Sequence, residues 1–137
     1  MKKRTPVSKI MSSEVVTVNK TQSLNDVEVL LNEKKIRHIP VVSGKEVIGM
    51  ISKVDLQKIS FVNPVDGDQL TTTIYNEFSI EQVMTKNLKV IQKDDTIHEV
   101  AEILYTSEFH SLPVLDGQEL VGIVTTTDLI KFLLDQY

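Results

Sequence analysis

The hydrophobic residues of the chain follow a helical period in two stretches. In each stretch they recur at three- and four-residue spacing, which predicts a helix with one buried face. A hydroxyl residue precedes each stretch and an acid follows three residues later, the pattern of a capping box in which each side chain bonds the other's backbone N–H. The capping pairs are Ser23 with Asp26 and Thr96 with Glu99, and the faces consist of Leu24, Val27, Leu30 and Leu31 and of Ile97, Val100, Ile103 and Leu104.

Short β-rich runs surround each predicted helix. Thr17-Val18 and Val90-Ile91 predict a brief strand before it, and the runs HIPVV with EVIGMIS and SLPVL with ELVGIVT predict a hairpin after it. Ser43-Gly44 and Asp116-Gly117 separate the paired runs, and we expect both central residues of such a turn to have a positive φ. A last helix follows each hairpin, in KVDLQKI and in TTDLIKFLL. Each stretch therefore predicts the order β-α-β-β-α.

The two stretches are copies of each other. A shift of 73 residues aligns 7–58 with 80–131 without a gap, and Pro40 then coincides with Pro113. Because proline cannot donate to a ladder, we expect both at a strand start or edge. A unit of this size is marginal alone, since one core below ~70–80 residues seldom supplies more than about 3–5 kcal/mol. We therefore expect an α+β fold in which two repeats pack sheet to sheet about an approximate two-fold axis, with two equivalent clefts between them.

The alignment also predicts the domain boundaries. An N-terminal tail occupies 1–6, the first repeat 7–59, a linker 60–79 and the second repeat 80–134. Connections this long are uncommon in compact domains unless they are functional or mobile, and we interpret the linker as mobile. Met11 and Met84 follow apolar residues at the head of each copy and are interpreted as core residues.

Composition and charge argue against several classes of function. The net charge is −4, so no global positive field attracts nucleic acid. No apolar run approaches the ~20 residues of a membrane-spanning helix. The basic residues at positions 2–4 are not followed by the apolar region of a signal peptide, so we interpret them as neither a signal peptide nor a membrane anchor. Cysteine is absent, which excludes disulfides and thiolate chemistry. We expect a soluble cytoplasmic protein that contacts neither nucleic acid nor membrane.

Catalytic and metal-binding patterns are not visible in the sequence. His38, His98 and His110 lie far apart, without the spacing of a zinc site. No Ser-His-Asp arrangement, Walker phosphate loop or dinucleotide Gly-x-Gly-x-x-Gly pattern is present. We therefore expect a protein that is not an enzyme and holds neither a metal nor a catalytic cofactor.

One octapeptide occurs in both copies, as GMISKVDL and GIVTTTDL. A capping box alone would explain Ser52 with Asp55 and Thr125 with Asp128. It would not explain the glycine, which inside an apolar strand usually marks a bulge or a close backbone approach. A second interpretation uses the same geometry: free N–H groups at a helix N-terminus bind phosphate, the hydroxyl adds a donor, and the aspartate accepts from ribose hydroxyls. The octapeptide thus fits a nucleotide site as well as a cap.

The two β-α-β-β-α copies, with the prolines of IRHIPVV and FHSLPVL and the ending G-h-h-[ST]-x-x-D (h, hydrophobic), resemble a tandem cystathionine-β-synthase (CBS) domain pair, or Bateman module. The resemblance covers the chain apart from the tail and the linker. It implies a regulatory module that binds adenosine derivatives such as AMP, ADP, ATP or S-adenosylmethionine, and a disc-like homodimer.

The resemblance also implies roles for individual residues. The aspartates contact ribose, the hydroxyls and the residues before each proline approach phosphate, and the backbone before each first strand lines an adenine pocket. These residues are Asp55 and Asp128 for ribose; Ser52, Thr125, Arg37, His38 and His110 for phosphate; and Val15, Val16, Leu88 and Lys89 for adenine. Lys53, with Arg37, would favour a more highly phosphorylated ligand, but for Lys53 we prefer the interpretation as a solvated surface lysine.

Two hypotheses follow for the function. In the first, an adenine nucleotide bridges the copies and its binding is transmitted through the dimer or to a separate regulated protein. In the second, the chain is a ligand-free scaffold that self-associates through its helical faces.

Overall fold

A computed structural model of the chain describes residues 4–61 and 75–137. Its elements, in chain order, are a 3-10 helix (Val7–Lys9), β1 (Val18–Asn19), α1 (Leu24–Lys34), β2 (His38–Ser43), β3 (Glu46–Ser52), α2 (Lys53–Phe61), α3 (Ile80–Val83), β4 (Ile91–Gln92), α4 (Ile97–Thr106), β5 (Ser111–Asp116), β6 (Glu119–Thr125) and α5 (Thr126–Asp135). The mixture of helices and strands confirms the predicted α+β class. Residues 62–74, most of the predicted linker, lie outside the described residues.

Each copy builds one three-stranded sheet, β1-β2-β3 or β4-β5-β6. The first two strands of each sheet are parallel, and the last two form an antiparallel hairpin. Parallel neighbours require a crossover connection, which α1 and α4 supply. The predicted helix faces pack beneath the sheets: Leu24, Val27, Leu31, Ile97, Val100 and Leu104 are buried, and Leu30 and Ile103 are partly buried against the cores. The order β-α-β-β-α is therefore confirmed in both copies.

The hairpin turns are centred one residue later than predicted. Gly44-Lys45 and Gly117-Gln118 connect the strands, and the two glycines have φ values of 62° and 65°. Among the described residues, Lys35 is the one non-glycine with a positive φ. A positive φ at the first central position alone is the pattern of a type II′ turn, so the expectation of two such residues was wrong.

The chain folds into two compact units that do not coincide with the two copies. One consists of Val16–Leu88 and is called here the first-repeat unit. The other, the second-repeat unit, combines Met1–Val15 with Lys89–Tyr137. The segment before each copy's first strand therefore belongs to the unit that contains the other copy's sheet.

These two exchanged segments are called leaders, residues 5–12 and residues 80–85. In the second-repeat unit, Ser12 pairs antiparallel with Ile123 of β6, and Val7 is fully buried in the core. The first-repeat unit has the same arrangement, in which Thr85 pairs with Met50 of β3 and Ile80 is fully buried. Each leader thus completes a core that its own copy does not form.

The leaders explain the position of the prolines. Pro40 is the third residue of β2, the central strand of its sheet, and it lies opposite Met50. Met50 directs its N–H and its C=O to Thr85, at 3.0 and 2.8 Å, so the pair of Pro40 and Met50 is one without ladder bonds and needs no donor from proline. Pro113 repeats this geometry in β5. The expectation of a strand start or edge was therefore wrong for both prolines.

Candidate functional site

The repeated octapeptide forms the junction between the last strand of each sheet and the helix that follows it. At the first junction, Ser52 ends β3 and Asp55 lies in the first turn of α2. The backbone N–H and the Oγ of Ser52 donate to Oδ2 of Asp55 at 2.8 and 3.0 Å, and the Asp55 N–H donates to Ser52 Oγ at 3.2 Å. This reciprocal bonding confirms the capping box and fixes both side chains at the strand end.

The second junction uses the same bonds with one difference. The Thr125 N–H donates to Asp128 Oδ2 at 2.9 Å, and the Asp128 N–H donates to Thr125 Oγ1 at 3.2 Å. The Ser52 hydroxyl donates to Asp55, whereas in the described part of the chain the Thr125 hydroxyl donates no hydrogen bond to Asp128. At both junctions the cap bonds Oδ2, which leaves Oδ1 available to accept from a ligand hydroxyl. All four side chains are half-buried.

The glycine of the octapeptide makes room for a leader methionine. A Cβ on Gly49 would overlap Sδ of Met84 and would lie 3.0 Å from the carbonyl oxygen of Thr85. The ladder also shifts register at this glycine, which lies opposite Val41. Gly122 has the corresponding neighbours and register shift. The predicted bulge and close approach are both confirmed, and the approaching group is the protein's own leader.

Three predicted phosphate residues lie beside the first junction. His38 pairs with Ser52 in the ladder, and the Lys53 N–H donates to the Arg37 carbonyl at 3.0 Å. The side chains of Arg37 and Lys53 are exposed, and His38 is half-buried. The backbone thus places two cationic residues next to the helix N-terminus that carries Asp55.

At the second junction, the Thr126 N–H donates to the His110 carbonyl at 3.1 Å, which sets the exposed His110 beside the motif. The predicted adenine residues divide between the units. Val15 and Lys89 belong to the second-repeat unit, whereas Val16 and Leu88 belong to the first-repeat unit. Their contribution to an adenine pocket stays a prediction.

Capping alone does not identify a ligand site, because other helices carry similar caps. Ser23 and Asp26 form the predicted reciprocal box. Thr96 accepts from the Glu99 N–H, but among the described residues the return bond from Thr96 N–H to Glu99 is absent, so that half of the prediction was wrong. A further box at Ser79, closed by a glutamine, was not predicted from the sequence, although its Ser-x-x-Gln spacing is a capping signal.

Charged groups elsewhere in the described residues indicate structural roles. No group of three or more His, Cys, Asp or Glu side chains in residues 4–61 and 75–137 could hold a metal ion. Lys93 donates to Asp116 at 3.1 Å, and this hydrogen bond, with the charge of the acid, raises the pKa of Lys93. Asp116 ends β5, at the opposite end of that strand from the junction.

Comparison with known proteins identifies the family. The CBS domain model matches residues 7–61 and 80–135, so it covers both copies. The chain belongs to the CBS domain family. As a tandem CBS module it has the fold of solved CBS pairs: that of MJ0100, in complex with 5′-methylthioadenosine and S-adenosyl-L-methionine, has a TM-score of 0.82 at 24% identity and covers 97% of this chain and 98% of its own. CBSX2 in complex with AMP has a TM-score of 0.80 at 24% identity, with coverages of 96% and 98%.

The curated relatives of this CBS module are longer proteins. The uncharacterized protein MJ0188 of Methanocaldococcus jannaschii is 34% identical over 128 residues, which are 91% of this chain and 43% of the relative. A homoserine O-acetyltransferase of Methanohalobium evestigatum is 26% identical over 131 residues, 94% of this chain and 24% of the enzyme. The chain thus spans less than half of these relatives. None of the helices in its described part is long and apolar enough to cross a membrane.

Proposed function

We propose that this CBS module is a regulatory unit that binds an adenosine-containing ligand, such as AMP, ADP, ATP or S-adenosylmethionine, at its strand–helix junctions. The observation that carries the proposal is the fixed aspartate at each junction, which is held through Oδ2 and retains Oδ1 for a ligand. CBS pairs with the same fold have been solved with AMP and with S-adenosyl-L-methionine. These ligands share an adenosine, the part that both junctions are suited to hold.

The chemistry of the junction assigns a role to each group. Oδ1 of the aspartate accepts from the vicinal hydroxyls of ribose. On the phosphate side, the Thr125 hydroxyl donates directly, and the Ser52 hydroxyl donates after it gives up its bond to Asp55 Oδ2. Each helix N-terminus contributes one N–H, that of Val54 or Thr127, because the N–H groups on either side of it are already bonded within the protein. Phosphate and carboxylate repel each other, so the aspartate faces the sugar. Arg37, His38 and His110 lie on the phosphate side in this proposal. The ligand acts as a regulatory effector and takes part in no reaction.

Binding becomes regulation only if the ligand prefers one of two states of the module. We propose that these states differ in how the module contacts a second copy or a separate regulated protein.

Thermal melts with a panel of adenosine compounds test the site. A ligand at 100 times its dissociation constant stabilises the folded state by ~2.7 kcal/mol, and we expect a corresponding rise in melting temperature for the wild type. Asp55→Asn with Asp128→Asn is expected to abolish the rise. Asp26→Asn is the matched control, because it alters the same kind of capping carboxylate on α1, which belongs to neither junction.

Three results are distinguishable in this experiment. A rise that survives in the double variant would refute the site assignment. The absence of any rise in the wild type, with every compound, would refute the proposed function. A rise lost equally in Asp26→Asn would show that capping, not ligand contact, controls the result.

The second candidate function is a ligand-free scaffold that self-associates. It is favoured by one observation: the outer face of α5 exposes Ile130, Leu133 and Leu134, with exposed fractions of 59, 44 and 67%. Exposed apolar faces of this kind mark interaction surfaces. The two candidates are compatible, since a ligand-binding module can also be a homodimer.

A further inference from the structure

The two junctions carry the same motif but different charges around it. Residues 34–38 are Lys-Lys-Ile-Arg-His, whereas the aligned residues 107–111 are Ser-Glu-Phe-His-Ser. The helix that follows begins with Lys53 in the first repeat and with Thr126 in the second. At these positions the first junction therefore has four lysines or arginines, and the second has none and one acid.

Backbone pairing brings two of these cations together. His38 and Ser52 are the last paired residues of the hairpin. The bond from Lys53 N–H to the Arg37 carbonyl joins the next two residues, and such a joined pair is called here a rung. Arg37 and Lys53 are therefore backbone neighbours just beyond the strand ends, and both are exposed. No ion pair in the described part of the chain includes either side chain. Two like charges on neighbouring residues repel each other, and a bound anion would relieve this repulsion.

The second junction lacks this pair of cations. Its corresponding rung holds His110 and Thr126, joined by the 3.1 Å bond from the Thr126 N–H to the His110 carbonyl. Neither residue has a permanent positive charge, and Glu108 precedes the histidine by two residues. A long phosphate chain at this rung would meet no permanent cation.

We infer that the first junction takes an adenosine ligand with a di- or triphosphate chain, whereas the second takes one with a single phosphate or none. The inference rests on the proposed function, because it assigns a ligand class to each of the proposed sites. The ribose contact is the same at both junctions, so it does not discriminate between ligands. Discrimination comes from the phosphates, which arginine and lysine bind through charge-assisted hydrogen bonds.

Single-aspartate variants separate the two junctions. Asp128→Asn leaves the first junction intact, and Asp55→Asn leaves the second. Calorimetry at fixed ionic strength without divalent cations gives dissociation constants for ATP and for uncharged 5′-methylthioadenosine. We expect the preference for ATP over methylthioadenosine to be at least about tenfold greater in Asp128→Asn than in Asp55→Asn, the typical effect of one charge-assisted hydrogen bond.

Exchanging the residues of the two rungs tests whether they cause the preference for ATP. In the Asp128→Asn background, Arg37→His with Lys53→Thr gives the first junction the residues of the second and is expected to remove the preference for ATP. In the Asp55→Asn background, His110→Arg with Thr126→Lys is expected to create it. The matched control, Lys20→Thr with Lys45→Thr in the Asp128→Asn background, removes two positive charges from exposed positions of the same repeat and is expected to retain the preference.

The outcomes separate this inference from the proposed function. Equal preferences in the two single-aspartate variants, or an equal loss in the lysine control, would overturn the inference while adenosine binding stands. Failure of the wild type to bind either compound would overturn the proposed function and this inference with it. Thermal melts establish that each variant is folded, and the reverse exchange gives an independent result if the first exchange variant does not fold.

Discussion

At the scale of the residue, Gly49 shows why the octapeptide begins with glycine. The Met84 side chain occupies the space that a Cβ would need, and the Thr85 carbonyl lies 3.0 Å from that position. A methionine side chain can rotate away, but this carbonyl is held by the Met50 N–H. The glycine therefore permits the leader to pair with the sheet edge. The pairing residue is Met50, two residues before Ser52, whose hydroxyl belongs to the candidate site.

Replacing Gly49 with alanine is expected to lower the free energy of unfolding by ~1–3 kcal/mol, the usual cost of overpacking. Urea titration measures the change. The cost should be smaller in a Met84→Ala background, where the overlap with sulfur is removed. Gly44→Ala is the control for backbone strain: its φ of 62° predicts a cost of ~1–2 kcal/mol that does not depend on Met84. Equal costs of Gly49→Ala in both backgrounds would contradict the packing account.

The sequence predicts residue-scale features when their partners are near in the chain. The cap of Ser23 by Asp26 and the caps of both junctions follow from a spacing of three residues, and the structure confirms them. A glycine in an apolar strand likewise predicts a close approach. The approaching Met84 could not be predicted, because it lies in the leader of the other copy and no local pattern specifies that contact.

At the scale of the element, the exchanged leaders determine what each unit needs in order to fold. Val7 packs in the second-repeat unit although it begins the first copy, and Ile80 packs in the first-repeat unit although it begins the second. Both side chains are fully buried. Truncating either one leaves a cavity in a core far from it in the sequence.

Val7→Ala is expected to cost ~1–3 kcal/mol and Ile80→Ala ~2–5 kcal/mol, from lost burial and the cavity left behind. Hydrogen exchange in the native state locates the effect. Val7→Ala should speed exchange in β5 and β6, and Ile80→Ala should speed it in β2 and β3. The opposite assignment would show that each leader packs on its own copy.

The sequence predicted the helices and hairpins but not this exchange. Helical and strand periods are local signals, and α1 and the two hairpins follow them. The leaders join their sheets through single pairs, Ser12 with Ile123 and Thr85 with Met50, which leave no periodic pattern. The position of the prolines was predicted wrongly for the same reason. The residue opposite each proline directs its N–H and C=O to a leader, so it needs no ladder bond from the proline.

At the scale of the whole molecule, α5 suggests how copies associate. Its residue Leu129 packs against a core, whereas Ile130, Leu133 and Leu134 extend the apolar face around the helix and are exposed. The apolar face of α5 is therefore wider than the part that packs against the core. We propose that a second copy covers this face, because a two-fold axis lets one apolar surface serve both partners.

Leu134→Lys is expected to raise the dissociation constant of such a homodimer by at least about tenfold, because the change occurs twice in a two-fold interface and places a charge in each copy of the apolar face. Sedimentation equilibrium measures the constant. Val29→Lys is the control, since Val29 is 52% exposed on α1 and lies outside this face. Equal weakening by both variants would refute α5 as the interface.

Amide hydrogen exchange with and without saturating ATP tests the central claim most directly, because it reports which backbone segments the ligand protects. We predict slower exchange at Ser52–Asp55, the junction assigned to a phosphate chain, and no change at the Ser23–Asp26 cap, which has the same bonds without the site. Repeating the measurement with 5′-methylthioadenosine should slow exchange at Thr125–Asp128. Equal protection of all three caps, or protection of neither junction by either compound, would contradict the claim that these junctions bind adenosine ligands.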